Sequence, residues 1–201
     1  MTALLALARG IDRVTEWIGR SVIWLILAAI LVSAGNAVVR YALDTSSNAW
    51  LELQWYLFGA AFMLAASYTL KHNEHIRIDI FYGSRTRATQ HWIDLLGHLL
   101  FLMPFAVLMA AMTVLYALQA WRSGQVSTNA GGLVIWPARA ILAAGFLLLA
   151  AQGVSEIIKK VAVMRGLIPD PNPPPSAEAL VQTQVEGAAG ELATRDDGAR
   201  R

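Results

Sequence analysis

The sequence predicts an all-α membrane protein, built from four transmembrane helices that follow an amphipathic helix at the membrane surface. Of its 201 residues, 56% are hydrophobic and only 15% are charged, whereas soluble globular domains are about 45–50% apolar and about 25% charged. The charges are also unevenly placed, so that they separate four long apolar blocks. A helix needs roughly 20 mostly apolar residues to cross about 30 Å of hydrocarbon, and each block meets or nearly meets that length.

These four blocks are the predicted transmembrane spans. They lie at about 21–39, 50–70, 95–121 and 133–158. The first three contain at most one charged residue each, and the fourth contains Arg139 near its start and Glu156 near its end. Span three also contains His98 and Pro104, and it is long enough to cross the membrane at a tilt. Residues 21–165 are therefore expected to form one four-helix transmembrane domain.

The segments before and after this domain differ from it in composition. In residues 1–20, apolar residues recur at helical spacing among three arginines, which predicts an amphipathic helix lying in the membrane interface. No cationic residue precedes the first apolar run, so this segment does not resemble a signal peptide. Residues 166–201 include a proline-rich stretch and few large apolar side chains, which predicts a disordered cytoplasmic tail.

The lysines and arginines predict the orientation of the chain. Thirteen of the 16 lie before span one, between spans two and three, or after span four. Cytoplasmic segments of membrane proteins carry an excess of such cations. Both termini are therefore expected in the cytoplasm, and two short loops are expected on the outer side of the membrane.

The composition and the motifs exclude several kinds of chemistry. The chain has no Cys, so it forms neither disulfides nor thiolate metal sites. It contains no Walker A, G-x-S-x-G or H-E-x-x-H motif, and only one of its four histidines falls inside a predicted span. The small net charge of +2, without a long basic run, argues against a nucleic-acid partner. We therefore expect no enzymatic activity, no metal site and no bound cofactor.

Three charged residues are expected at the outer edge of the membrane. Arg40 ends span one, where its side chain can extend to water. Glu52 opens span two, where it either stabilises the positive end of its own helix or contacts a partner. Arg139 follows Trp136 at the start of span four and opposes the dipole of its helix, so it needs a compensating anion. We predict that Glu52 and Arg139 form a pair, or that Arg139 faces an acidic partner outside.

Two loops contain further candidate residues. The outer loop between spans three and four includes Ser123, Ser127 and Asn129, and it serves either as a plain connection or as a docking surface. In the cytoplasmic loop between spans two and three, polar and apolar residues alternate. The polar residues of this stretch are His75, Arg77 and Asp79. This loop is either solvated or folded against the helices or a neighbouring subunit.

Several short motifs, taken in order, resemble the small membrane subunit of tripartite ATP-independent periplasmic (TRAP) transporters. The motifs are Arg40-Tyr41, Glu52, residues 75–79, residues 129–133 and Trp136-Pro137. The resemblance covers roughly residues 20–165 and rests on the order of these motifs along a four-span topology with both ends inside.

The resemblance implies a non-catalytic role in the bacterial inner membrane. In such systems a periplasmic binding protein captures a solute, usually an organic acid, and a large membrane subunit carries the substrate and sodium sites. The small subunit packs beside the large one as a fixed scaffold and helps to receive the binding protein. The candidate residues are then expected to contact these partners or to support the fold. Membrane lipids are expected to surround the helices.

The residues alone leave two other functions open. One is a haem-binding membrane anchor of a redox enzyme, which a Soret absorption band in the purified protein would reveal. A helical bundle that binds haem usually has facing axial ligands. The other is a small transporter that acts alone, which transport by the reconstituted chain would establish. Such transporters usually have broken helices or paired halves.

Overall fold

The computed structural model of the protein describes residues 1–45, 47–73, 82 and 85–170. Within these ranges the chain is helical and has no β-strand. The helices are α1 (Thr2–Leu43), α2 (Asn48–Lys71), α3 (Arg87–Gly97), α4 (Met103–Ser123) and α5 (Trp136–Met164). The all-helical prediction is thus confirmed for the described part of the chain.

α3 and α4 form one continuous helix, because a π-helical turn at His98–Leu102 joins them. Pro104 accounts for this turn. Proline has no N–H, so the carbonyl four residues before it loses its usual helical donor. Just before the proline, the N–H of Met103 donates to the carbonyl of His98, five residues earlier, which is the π-helical pattern.

Three helical segments of the described chain are long and apolar enough to cross a membrane: α1, the continuous helix Arg87–Ser123, and α5. They contain predicted spans one and three, and predicted span four from Trp136 onward. α2 has 24 residues, which is long enough, but its first half is less apolar because it includes Glu52 and Gln54. The crossing of the membrane by α2 stays a prediction, as does the total of four spans.

α1 combines the predicted amphipathic segment, residues 1–20, with predicted span one. It is a single helix of 42 residues, about 63 Å long at 1.5 Å per residue, with no break near residue 20. Its first half packs against other helices, since Ala8 and Thr15 are buried. Gly19 also lies directly against the Tyr68 ring of α2, where a Cβ would overlap the ring. The interfacial position of residues 1–20 stays a prediction, but these residues belong to the packed helical unit.

α5 is the central helix of the compact unit Met1–Leu167. It packs against α1, α2 and α4, and α1 also packs along α2. Glycines permit two of these contacts. A Cβ at Gly145 would lie 2.7 Å from Cβ of Met63, and a Cβ at Gly153 would lie 2.9 Å from Sδ of Met103. Small residues of this kind let helices approach closely, and these two glycines bring α5 close to α2 and to α4.

Candidate functional site

Polar side chains gather at both ends of this helical unit. We name the end that contains Glu52 the outer end and the end that contains Asp12 the inner end, following the predicted orientation. The outer end is built around the connection between α4 and α5. The inner end joins the first half of α1 to the last turns of α2 and α5. The two ends are described in turn.

At the outer end, residues 124–135 form a short hairpin, named here the outer hairpin. Gly124 ends α4 with φ 59°, a left-handed conformation that suits glycine. The N–H of Ser127 donates to the carbonyl of Leu133 at 2.9 Å, and the N–H of Ile135 donates to the carbonyl of Gln125 at 3.0 Å. These two bonds pair the two sides of the loop, so that its tip has a defined shape.

The Glu52 carboxylate fastens this hairpin to α2. Its Oε1 accepts hydrogen bonds from the hydroxyl of Ser127 and, at 2.8 Å, from Nδ2 of Asn129. Its Oε2 accepts a hydrogen bond from the backbone N–H of Leu133 at 2.6 Å. The carboxylate therefore receives one donor from each side of the hairpin and one from its tip. Hydrogen bonds to an ionised acceptor are stronger than those between neutral groups.

Two neighbours of Glu52 on α2 make further bonds to the same hairpin. Nδ2 of Asn48 donates to the carbonyl of Ala130 at 2.9 Å, and the hydroxyl of Tyr56 donates to the carbonyl of Val134 at 3.1 Å. The three α2 residues are spaced four apart, which places them on one face of the helix. Sequence analysis singled out Glu52 but missed the other two, although their spacing indicates a shared polar face.

Gly132 is a fixed part of this arrangement. A Cβ at this position would lie 2.6 Å from Cβ of Ser127 and 2.8 Å from Oε1 of Glu52. No side chain fits there without moving the carboxylate or the loop. By contrast, residues 128–131 at the tip are exposed. The outer hairpin thus presents a small exposed tip on a base that is fixed to α2.

The predicted pair of Glu52 and Arg139 is wrong. The Arg139 guanidinium lies over the ring of Tyr116 in α4, 3.5 Å from the ring centroid, and its Nη1 donates to the carbonyl of the same residue at 3.5 Å. The N-terminus of α5 faces α4 at this point, while the hairpin occupies the carboxylate of Glu52. Sequence alone shows which charges share a membrane edge but not which helix each one faces.

The other predicted outer residues have different roles in the structure. Trp136 packs edge to face on Trp121, with ring centroids 4.6 Å apart, and so joins α5 to α4. The Ser123 hydroxyl donates to the carbonyl of Gln119 in its own helix at 2.8 Å. Arg40 is exposed at the end of α1. The predicted cytoplasmic residues His75, Arg77 and Asp79 lie outside the described residues, as do residues 171–201 of the predicted tail.

At the inner end, a buried amide links α1 to α5. Gln152 of α5 is fully buried, and its Oε1 accepts a hydrogen bond from the Thr15 hydroxyl at 2.7 Å. Its Nε2 donates to Oδ1 of Asp12 and to Oε1 of Glu156, each at 2.9 Å. Asp12 also accepts from the Ser155 hydroxyl at 2.7 Å. Both polar ends of the amide are therefore satisfied by residues of two helices.

Lysines complete the polar contacts of the inner end. Lys159 donates to Oδ2 of Asp12 at 3.0 Å and to Oε1 of Glu156 at 2.6 Å, while Lys160 donates to Oδ2 of Asp94 at 2.8 Å. These bonds join α5 to α1 and to α3. Sequence analysis predicted no contact for either lysine, although Gln152, Glu156 and Lys159 follow helical spacing.

A second carboxylate of α1 binds the end of α2. Glu16 accepts hydrogen bonds from Lys71 and, at 3.1 Å, from His72, and also from Arg20 one turn later at 2.7 Å. It precedes the charge-free stretch of α1. The bonds from Lys71, His72 and Arg20, in that order of effect, lower the pKa of Glu16 from 4.5 to about 2. Glu16 is therefore ionised under all ordinary conditions.

These contacts join helices and the outer hairpin of the same chain. The described residues contain no group of three or more His, Asp or Glu side chains that could hold a metal ion. The carboxylates described above accept hydrogen bonds from neighbouring helices or loops. Fold and site together thus define a helical membrane subunit whose polar side chains hold its own helices and its outer loop in place.

Comparison with known proteins places this subunit in a family. The model for the tripartite ATP-independent periplasmic transporters, DctQ component, matches residues 29–163, which is more than half of the chain. The chain belongs to this family. No curated protein and no solved structure matches it at a significant level. The resemblance drawn from the sequence motifs is thereby confirmed.

Family membership determines the broad function. The protein is the small membrane subunit of a TRAP transporter, and the family is a transporter-component family rather than an enzyme family. The match and the apolar helices support a multi-pass protein of the inner membrane. The family also implies association with a large membrane subunit and a solute-binding protein.

Proposed function

We propose that this chain is the fixed scaffold of a secondary transporter that imports a small organic acid or a similar solute. It holds the large membrane subunit in place, and its outer hairpin forms part of the surface that receives the periplasmic binding protein. The observation that carries the docking role is the fixed base of the hairpin. Glu52 bonds to three of its residues, while residues 128–131 stay exposed.

The rigidity of the hairpin supports a docking role. Binding through a loop that must first become ordered loses free energy to the ordering step, whereas a loop already in its bound shape avoids much of that cost. Three side chains of α2 form hydrogen bonds that fix this one loop: those of Asn48, Glu52 and Tyr56. A loop that only connects two helices would not need so many.

Exposed apolar surface supports the scaffold role. On α4, the side chains of Phe105, Leu108, Leu115 and Leu118 are each about half exposed or more. Such surface on a membrane helix is covered by lipid or by another protein, and close protein contact depends on a rigid, well-packed partner. The inner-end bonds give this rigidity by tying α1, α2 and α3 to each other or to α5.

The charges of the inner end support the proposed orientation with both termini in the cytoplasm. Lys71, Lys159 and Lys160 come together there with carboxylates of α1 and α3. The outer end has fewer cations, and these include Arg40 and Arg139. A higher density of cations on the cytoplasmic side is the usual pattern.

Single-cysteine cross-linking of the assembled transporter tests the docking role. The chain has no Cys, so Ala130→Cys places one reactive thiol at the exposed hairpin tip. With a short thiol-to-amine cross-linker, we expect a product with the solute-loaded binding protein. Ala42→Cys, exposed at the outer end of α1, is the matched control and should give little product. Equal products from both positions, or none from Ala130→Cys, would contradict docking at the hairpin.

A further inference from the structure

A groove runs between α1 and α2 in the outer half of the helical unit. It consists of two adjoining cavities of about 670 Å³ and 520 Å³, both lined by Ser33, Ala37 and Gln54. The helices pack along each other elsewhere, so the groove is a local widening and not a general separation. Its size falls within the range of small-molecule sites, about 300–1,000 Å³.

The deeper cavity is apolar. Ile26, Ala29 and Ile30 of α1 and Trp55 and Phe58 of α2 line it. The α1 residues belong to the charge-free stretch between Arg20 and Arg40 that defines span one. At this depth the natural solvent is hydrocarbon. An acyl chain matches the apolar side chains, while Ser33 and Gln54 lie where this cavity adjoins the second one.

The second cavity opens at the outer end and is polar. Its lining includes Asn36, Arg40, Tyr41, Asp44 and Gln54. Within the part of the chain that the structure describes, none of these five side chains has a hydrogen-bond or ion-pair partner. With Ser33, the mouth therefore combines one cation, one anion and four neutral polar groups. Arg40 and Asp44 are one helical turn apart, which places a guanidinium and a carboxylate beside the same opening.

We propose that this groove binds one phospholipid with a zwitterionic aminoethyl phosphate headgroup, as in phosphatidylethanolamine. An acyl chain lies between Ile26 and Phe58, the phosphate binds the Arg40 guanidinium, and the headgroup ammonium pairs with Asp44. Guanidinium groups suit phosphate oxygens because they offer several donors in one plane. The carboxylate disfavours a purely anionic headgroup and so selects the zwitterionic one. This site is independent of the docking role proposed for the hairpin.

Native mass spectrometry of the delipidated full chain tests the site. We expect one phosphatidylethanolamine to bind per chain, and phosphatidylglycerol to bind more weakly. Arg40→Gln should raise the dissociation constant about tenfold, as expected for the loss of one charge-assisted hydrogen bond. Asp44→Asn should weaken phosphatidylethanolamine binding but not phosphatidylglycerol binding. Identical affinity of wild-type protein and Arg40→Gln for phosphatidylethanolamine would overturn the proposal.

A second pair of variants separates the groove from the general surface. Ala37→Trp fills the groove, so it should abolish binding. Ala111→Trp adds the same ring to an exposed position of α4 and should leave binding unchanged. Equal binding by both variants would contradict a lipid in the groove.

A cysteine variant distinguishes the lipid from a helix of the large subunit as the occupant. In the assembled transporter, an Ala37→Cys thiol that reacts with a lipid-soluble maleimide supports the lipid. A disulfide or cross-link from this thiol to the large subunit would overturn the proposal. Neither result depends on whether the binding protein docks at the hairpin, so the two proposals can fail separately.

Discussion

The outer and inner ends of this subunit are held together by different interactions. At the outer end, one carboxylate accepts hydrogen bonds from neutral groups of a single loop. At the inner end, carboxylates of α1 and α3 pair with lysines of α2 and α5. Neutral donors at fixed positions define the shape of a loop, while ion pairs of long side chains join whole helices. The outer end is thus suited to presenting a surface, and the inner end to holding the helices in register.

The largest stability effect is expected from the buried amide of the inner end. Gln152→Leu removes the acceptor of the Thr15 hydroxyl and one hydrogen bond each of Asp12 and Glu156, inside a closed contact. Leaving buried polar groups unpaired should cost about 2–4 kcal/mol. Chemical unfolding of the purified chain in detergent measures this loss. Gln119→Leu, an exposed position on α4, is the control and should change stability by less than about 0.5 kcal/mol. Similar losses for both variants would refute the structural importance of the inner amide.

A smaller loss, confined to the outer end, is expected from Gly132→Ala. The added Cβ would meet Ser127 and the Glu52 carboxylate, and overpacking of this kind costs roughly 1–3 kcal/mol. Amide hydrogen exchange at Ser127 and Leu133 should become faster, while exchange in α1 stays unchanged. Gly35→Ala is the control, because nothing lies within 4 Å of a Cβ there. It should stabilise the helix by roughly 0.5–1 kcal/mol. Unchanged exchange in the Gly132 variant would show that the hairpin base is not tightly packed.

Arg139→Gln should have a still smaller effect, because it removes only the cation–π contact with the Tyr116 ring and the long hydrogen bond to the Tyr116 carbonyl. The expected loss of stability is about 0.5–1 kcal/mol. Arg139→Lys keeps the charge and should retain part of the contact. Arg122→Gln removes a nearby cation at the end of α4 and is the control. A double-mutant cycle with Tyr116→Leu measures the coupling. If the stability losses of Tyr116→Leu and Arg139→Gln added fully, the contact between the two side chains would contribute nothing.

The stability of the folded chain should depend on pH through Glu16 of the inner end. The pKa of Glu16 is about 2 in the folded chain against 4.5 ordinarily, so its contribution is complete above 4.5 and is lost as the pH falls toward about 2. Glu16→Gln should therefore be less stable than wild type at neutral pH, and the two should converge on acidification. Unfolding midpoints measured over this range check the expectation. A constant difference at every pH would mean that the ionised carboxylate is not the stabilising group.

The helices could be predicted from the sequence because each depends on a local run of apolar residues. α1 ends at Leu43, close to the Arg40 that ends predicted span one, and the π turn ends two residues before the proline noted in span three. The packing of the first half of α1 against α2 was not predicted, because it depends on the contact of Gly19 with Tyr68, which lie far apart in sequence.

The candidate site was predicted only in part, for a related reason. Glu52 stood out as a carboxylate at the membrane edge, but its partners include a backbone N–H, that of Leu133. Every residue except proline has such a group, so sequence does not distinguish the one that is used. Sequence analysis predicted Arg139 as the partner of Glu52, because it has the opposite charge. In the structure Arg139 faces α4. Charge alone therefore identifies groups that need partners, and packing determines which partners they find.

The most direct test of the docking proposal compares one carboxylate from each end. In the reconstituted transporter, Glu52→Gln and Glu16→Gln each replace an ionised acceptor by an amide of the same size. The dissociation constant of the solute-loaded binding protein, measured by surface plasmon resonance, should rise severalfold in Glu52→Gln, since the hairpin loses its fixed base. It should stay at the wild-type value in Glu16→Gln. Wild-type affinity in Glu52→Gln, or an equal loss in both variants, would contradict a docking role for the outer hairpin.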